Sequence, residues 1–280
     1  RYLSILLWVL IPFILWWFLK DISFPQIAEV LNRLNLLTIA SLLLLNATIF
    51  FLFSSRWWVI LRAQGYHRPY QRLVLYRLAA FGISYFTPGP QFGGEPLQVF
   101  LLRGREEIPT STAVASVALD KLLELLANFT FLLVGVLTIF LTGILGNEQS
   151  PTMLLIPASL LLIPLCYLLA LRLGSRPFSA LFFVLSHRFG DSARLRDVSL
   201  TLDSAEKQIV DFSQKVPGAL FLSGVVSILV WVLIIYEYSL TLRWLGAPLT
   251  LPRTLVALTA ARLAFLLPFP GGLGSLEASQ

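Results

Sequence analysis

The chain has 280 residues, 57% hydrophobic and only 13% charged, with a mean hydropathy of +0.79 and a formal net charge of +6 at pH 7. Soluble domains carry about 25% charged residues, so this balance excludes a soluble fold and points to an all-α polytopic membrane protein. One cysteine, Cys166, leaves no internal disulfide and implies no metal centre, and no basic stripe with exposed aromatics speaks for nucleic acid.

A bilayer core of about 30 Å takes roughly 20 apolar residues in a helix. On that measure Tyr2–Leu19 is a first span; no small-residue cleavage site follows it, as a signal peptide would require. Ser23–Arg33 mixes polar and apolar residues and is expected at the membrane surface. Leu34–Ser55 is a second span, and Arg56–Arg77 a basic, aromatic connection. The pairs Trp16-Trp17 and Trp57-Trp58 suit the aromatic belts of the two interfaces. Leu78–Leu102 is apolar but broken by "TPGPQFGGEP" (Thr87–Pro96). Ala113–Gly143 is a long helix with charges in its first half. Pro151–Leu171 and Pro217–Leu242 are further spans, separated by residues 172–216, a polar stretch of short amphipathic pieces expected to form a cytoplasmic connection. Leu255–Leu267 is short and runs into "PFPGGLGSLE" (Pro268–Glu277). The expectation is about six full spans in a single transmembrane domain over residues 1–280. The start at Arg1 and the stop just past the second motif suggest truncation at the C-terminus, with the last helices missing.

Lysine and arginine set orientation. With the N-terminus in the cytoplasm, the inside segments hold fifteen basic residues and the outside segments four. Residues 56–77 and 103–110 then share one face, so Leu78–Leu102 enters and leaves by the same side, while the second broken run starts from the other.

Unpaired backbone amides cost several kcal/mol each in hydrocarbon, so irregular chain at membrane depth survives only inside protein or beside a wet cavity. The two motifs share Pro-Gly, a glycine pair and a glutamate: Pro88-Gly89, Gly93-Gly94 and Glu95 in the first, Pro270-Gly271, Gly271-Gly272, then Gly274 and Glu277 in the second. Two opposed re-entrant helical hairpins, related as an inverted repeat and meeting near the midplane, are the expectation. A half-helix starting after such a loop points free amides into the cavity, and glycines let an anion approach closely. No Gly-Lys-Ser/Thr follows either motif, so nucleotide hydrolysis is unsupported.

Ser116, Asp120, Glu124 and Asn128 recur every four residues and share one helical face, and Lys121 lies three residues before Glu124, within pairing reach. Arg262 sits among Ala257, Thr259, Ala260, Ala261 and Ala264, where close packing would let it meet a carboxylate or a lipid phosphate.

In this order, "YFTPGPQFGGEPLQVFLL", "TAVASVALDKLLEL" and "PFPGGLGSLE" resemble the flippase-like membrane domain of the lysylphosphatidylglycerol synthase family, from about residue 40 to the end. The resemblance implies movement of a phospholipid between leaflets of the plasma membrane. It implies no lipid aminoacylation, since the soluble aminoacyl-transferase domain that some members carry is not in this sequence. Where Lys121 stands, an arginine is common in the family.

The expected substrate-binding set is therefore Gly89, Gly93, Gly94, Glu95, Asp120, Lys121, Glu124, Arg262, Gly271, Gly272, Gly274 and Glu277. Glycine-loop amides, Arg262 and Lys121 would hold a phosphate, and the acidic residues would balance charge or take a cationic headgroup. A phospholipid or lipid-linked substrate and the bilayer are the expected partners, with no cofactor; assembly into a homo-oligomer stays open. The alternative is a membrane-embedded transferase acting on phospholipid or polyprenyl-phosphate, ranked lower because the sequence offers no Asp-rich metal motif and no nucleophile–His pair.

Overall fold

The computed structural model describes residues 35–86, 93–144, 151–189 and 193–265, and every regular element among them is helical. In chain order these are α1 (Leu36–Ala63), α2 (Tyr70–Phe86), α3 (Glu95–Glu106), α4 (Thr110–Thr142), a 3-10 turn (Pro151–Leu154), α5 (Leu155–Arg172), α6 (Pro177–Phe189), α7 (Ala193–Lys215), α8 (Pro217–Trp244) and α9 (Leu251–Phe265). Four stretches among the described residues are long and apolar enough to cross a membrane: α1, α4, the 3-10 turn with α5, and α8. At 33 residues, α4 is about 50 Å of helix, longer than a bilayer core is thick.

Packing follows the small and apolar residues. Pro157, Pro164 and Leu171 are seven apart, so they share one face of α5, which is buried against α4. Ser223, Ser227 and Val230 form the buried stripe of α8, the small-residue surface that membrane helices use to approach closely. That helix packs along α1, with Arg56 near Ser227 and Asn46 near Glu237, so the two run antiparallel. Trp57 meets Ser116 and Arg56 meets Asp120, so α4 is antiparallel to α1 as well. The C-terminal end of α1 and the N-terminal ends of α4 and α8 therefore lie together at one end of the bundle.

That same end carries a core of Ile60, Leu119, Leu171, Ile209 and Phe212. Between α5 and α8, the described residues form two helices, α6 and α7, rather than several short pieces. Ala205, Ile209 and Phe212 fall on one face of α7 and are buried against α4 and α5. The carboxylate of Glu206, in α7, accepts from the backbone amides of Phe178 (3.0 Å) and Ser179 (2.8 Å), from Ser179 Oγ (2.5 Å) and from Tyr167 (2.6 Å). It supplies the orphan amides at the start of α6 with an acceptor that local sequence does not provide.

The Arg56–Arg77 segment is not a connection throughout, and the second span does not stop at Ser55. Helix α1 continues to Ala63, and α2 begins at Tyr70. Trp57 is wholly buried and donates to Ser116 Oγ at 3.3 Å, so it belongs to the core and not to an aromatic belt. Arg56 and Arg77, counted above as loop charges, are 2% and 5% exposed. The first span, the surface segment Ser23–Arg33 and the second motif lie outside the described residues.

Candidate functional site

Helices α2 and α3 fold back on each other on either side of the first glycine motif. Close to that motif, the Gly94 amide donates to Ser84 Oγ at 2.9 Å. Further back, Tyr76 donates to Glu106 Oε1 at 2.8 Å and Arg72 Nη1 lies 3.3 Å from the same oxygen. The two helices are therefore an antiparallel hairpin with Gly93 and Gly94 at its tip. A Cβ on Gly94 would lie 2.2 Å from the Ala80 carbonyl oxygen, so only glycine lets the helices approach this closely. The 12 residues of α3 give about 18 Å of helix, too short to cross a bilayer core.

The open end of the hairpin is closed by Glu106, itself 3% exposed. Arg68 and Arg72 pair with it, and Tyr76 hydrogen-bonds to it.

The tip meets α4 at a buried charge network. Asp120 accepts from Arg56 Nε at 2.7 Å and from Arg77 Nη2, so one carboxylate of α4 joins α1 and α2. Arg56 extends the link to α8 by donating from Nη1 to Ser227 Oγ at 3.1 Å. One residue on, Lys121 Nζ lies 2.8 Å from Glu124 Oε1 and 3.1 Å from Glu95 Oε1, tying α4 to the first turn of α3. The other oxygen of Glu95 accepts the Gly93 amide at 2.9 Å. Glu124 Oε2 also stands 3.7 Å from Arg56 Nη2. Three cations and three carboxylates on α1, α2, α3 and α4 thus form one connected set. Among the described residues, two buried donor nitrogens, Arg56 Nη2 and Arg77 Nε, have no hydrogen-bond partner. An unmet buried donor costs about 1–3 kcal/mol, and Arg56 Nη2 is met in part by the Glu124 carboxylate 3.7 Å away.

Of the residues expected from sequence, Gly93, Gly94, Glu95, Asp120, Lys121 and Glu124 come together here. Arg262 makes no ion pair with them among the described residues: its guanidinium, within electrostatic reach of Glu124, stacks 4.9 Å over the Trp231 ring, which in turn stacks on Phe131 with 4.1 Å between ring centroids. Gly89, Gly271, Gly272, Gly274 and Glu277 lie outside the described residues.

Arg56, Arg77 and Ser227 are the members that sequence reasoning missed. The signal for them was Asp120. Adjacent helical residues do not face each other, so Lys121 has no access to Asp120 as a counter-ion. A carboxylate inside a span needs a cation from elsewhere, and the arginines in "SSRWW" and "LYRLAAF" were available.

Residues 4–280 match the family model described as the lysylphosphatidylglycerol synthase TM region. A UPF0104 membrane protein of Methanothermobacter thermautotrophicus is 23% identical over 264 residues, covering 90% of this chain and 76% of that protein. A UPF0104 membrane protein of Methanocaldococcus jannaschii is 27% identical over 116 residues, 41% of this chain and about a third (34%) of that protein's length. No solved structure matches the chain.

Proposed function

This chain belongs to the family of the lysylphosphatidylglycerol synthase transmembrane region and is a multi-pass membrane protein, and from that premise we propose that it moves a phospholipid or lipid-linked headgroup between leaflets. The observation that carries the proposal is the Lys121–Glu95 ion pair, which sets ionic groups from α4 against the tip of a helical hairpin too short in its second arm to span. Charges at membrane depth face a protein interior or a wet cavity, and irregular backbone at that depth does the same.

In this reading α2 and α3 form a re-entrant hairpin. A headgroup passes through the polar interior while its acyl chains stay in lipid. Lys121 and the two arginines offer donors to the phosphate, and Glu95 and Glu124 hold those cations when no lipid is present or receive a cationic headgroup. The second glycine motif supplies the opposed hairpin, with Arg262 beside it. The bundle end holding the C-terminus of α1 and the N-termini of α4 and α8 is the cytoplasmic one, as its arginine content favours, and the membrane is the plasma membrane. No covalent step is involved.

The test is leaflet exposure of a fluorescent phospholipid in reconstituted vesicles, with protein-free vesicles as the reference. A labelled activated donor in the same vesicles should yield no lipid product; product formation would favour a transferase instead.

A further inference from the structure

A second feature lies apart from the buried network, where α1 and α8 end side by side. A groove of about 540 Å³ opens there, lined by Trp58, Val59, Arg62, His67, Ala219 and Leu222 among others. Such a volume falls within the range of pockets that hold small ligands, about 300–1,000 Å³. Two kinds of surface meet in it. Val59, Ala219 and Leu222 form an apolar wall, and Arg62 and His67 supply the basic heads.

The position of the groove identifies its surroundings. Helix α1 ends at Ala63 and α8 begins at Pro217, and both are of spanning length and composition. At 28 residues each, about 42 Å of helix, they outrun a bilayer core of about 30 Å, so their paired ends reach the headgroup layer. Next to the wall, Phe221 is 74% exposed on α8, an apolar surface that acyl chains would cover.

Arg62 is positioned rather than free. Its guanidinium lies 5.0 Å over the Trp58 ring, and the Trp58 indole nitrogen donates to the Arg68 carbonyl oxygen at 3.2 Å. The nearby Arg68 and Arg72 are committed to Glu106, whereas among the described residues no carboxylate pairs with Arg62. Gly218, in the first turn of α8, also lines the groove, where the positive end of the helix dipole adds to the same field. A guanidinium held on an aromatic ring at the bilayer boundary, above an apolar wall, suits a phosphate that carries an acyl chain.

We propose that this groove binds one anionic phospholipid drawn from the surrounding bilayer, with its phosphate on Arg62 and His67 and an acyl chain along Val59, Ala219 and Leu222. None of these residues belongs to the Asp120 network, so the site stands whether or not the protein translocates lipid.

Native mass spectrometry of the full chain in detergent, titrated with phosphatidylglycerol or phosphatidylcholine, tests it. The wild type should retain one more phosphatidylglycerol than the Arg62→Gln/His67→Gln variant, whose apparent affinity for that lipid should fall about tenfold. Phosphatidylcholine should be retained more weakly, and soluble glycerophosphate, lacking the acyl chain, should not compete. Leu222→Trp fills the apolar wall and keeps both basic side chains, and it should lose the same lipid. Retention at wild-type level by either variant would overturn the proposal. So would equal retention of phosphatidylcholine, or displacement by glycerophosphate, which would make this a site for free anions.

Discussion

Arg56 Nε donates to Asp120 Oδ1 at 2.7 Å, and the two side chains expose no more than 2% and 5% of their surfaces. Arg77 takes the second oxygen of the same carboxylate. Removing Asp120 would leave the buried Arg77 guanidinium without a carboxylate partner among the described residues and Arg56 with only Glu124, 3.7 Å away, whereas removing one arginine leaves Asp120 still paired. Asp120→Ala should therefore cost about 3–5 kcal/mol, the usual penalty for breaking a buried pair, and more than Arg77→Met. Thermal unfolding in detergent checks this ordering; equal melting temperatures for Asp120→Ala and the wild type would contradict it.

The hairpin tip depends on a close backbone contact. Gly94→Ala brings a methyl group to 2.2 Å from the Ala80 carbonyl oxygen, and a backbone atom has little room to yield. Destabilisation of about 1–3 kcal/mol is expected, as for overpacking elsewhere. In Gly135→Ala, by contrast, the new Cβ meets the Thr259 side chain, with Oγ1 at 1.8 Å. Thr259→Ala should therefore recover part of the Gly135→Ala loss, and no side-chain change at Ala80 should recover the Gly94→Ala loss. Denaturation of the single and double variants reads the difference directly.

Much of this architecture is legible in the sequence, because the spans are written in hydropathy. Ala113–Gly143 and Pro217–Leu242 differ from α4 and α8 by a few residues at their ends. The Lys121–Glu124 pair is legible for the same kind of reason, since helical spacing alone brings the two together. Arg56 and Arg77 are not legible, because counting basic residues around spans treats an arginine at a span's edge as a loop charge. Their partner lies 64 and 43 residues away, and no local pattern connects them. Trp57 misleads similarly: a tryptophan near the end of a span suits an interface belt, and only the packing of Leu73, Leu102 and Val117 from other helices makes it core. The placement of Arg262 on Trp231 also required tertiary structure, because a stack between α8 and α9 has no spacing rule.

Glu206 organises the polar connection. With Glu206→Ala, the Phe178 and Ser179 amides lose their acceptor, and the start of α6 should fray. Hydrogen exchange across Pro177–Phe189 should accelerate at least about tenfold, in line with a loss of roughly 1.5–3 kcal/mol for bonds to a charged group. Exchange in α8 should stay as in the wild type. Uniform acceleration of both helices would instead mean that Glu206 supports the whole bundle.

The re-entrant reading of α2 and α3 makes a topological prediction. In a Cys166→Ala background, cysteines placed at His67 and Arg103 should react with a membrane-impermeant maleimide from the same side. A cysteine at Thr142, at the far end of α4, should react from the other. Labelling of positions 67 and 103 from opposite sides would mean that this segment crosses the membrane completely.

Lipid movement itself is the central claim, and leaflet exchange of a fluorescent phospholipid in proteoliposomes measures it most directly. Vesicles holding folded wild-type protein should exchange the probe faster than empty ones. Glu95→Ala and Lys121→Met should each slow exchange about tenfold, the effect of roughly 1.4 kcal/mol on the barrier. Exchange no faster than in empty vesicles, or both variants working at the wild-type rate, would contradict the account.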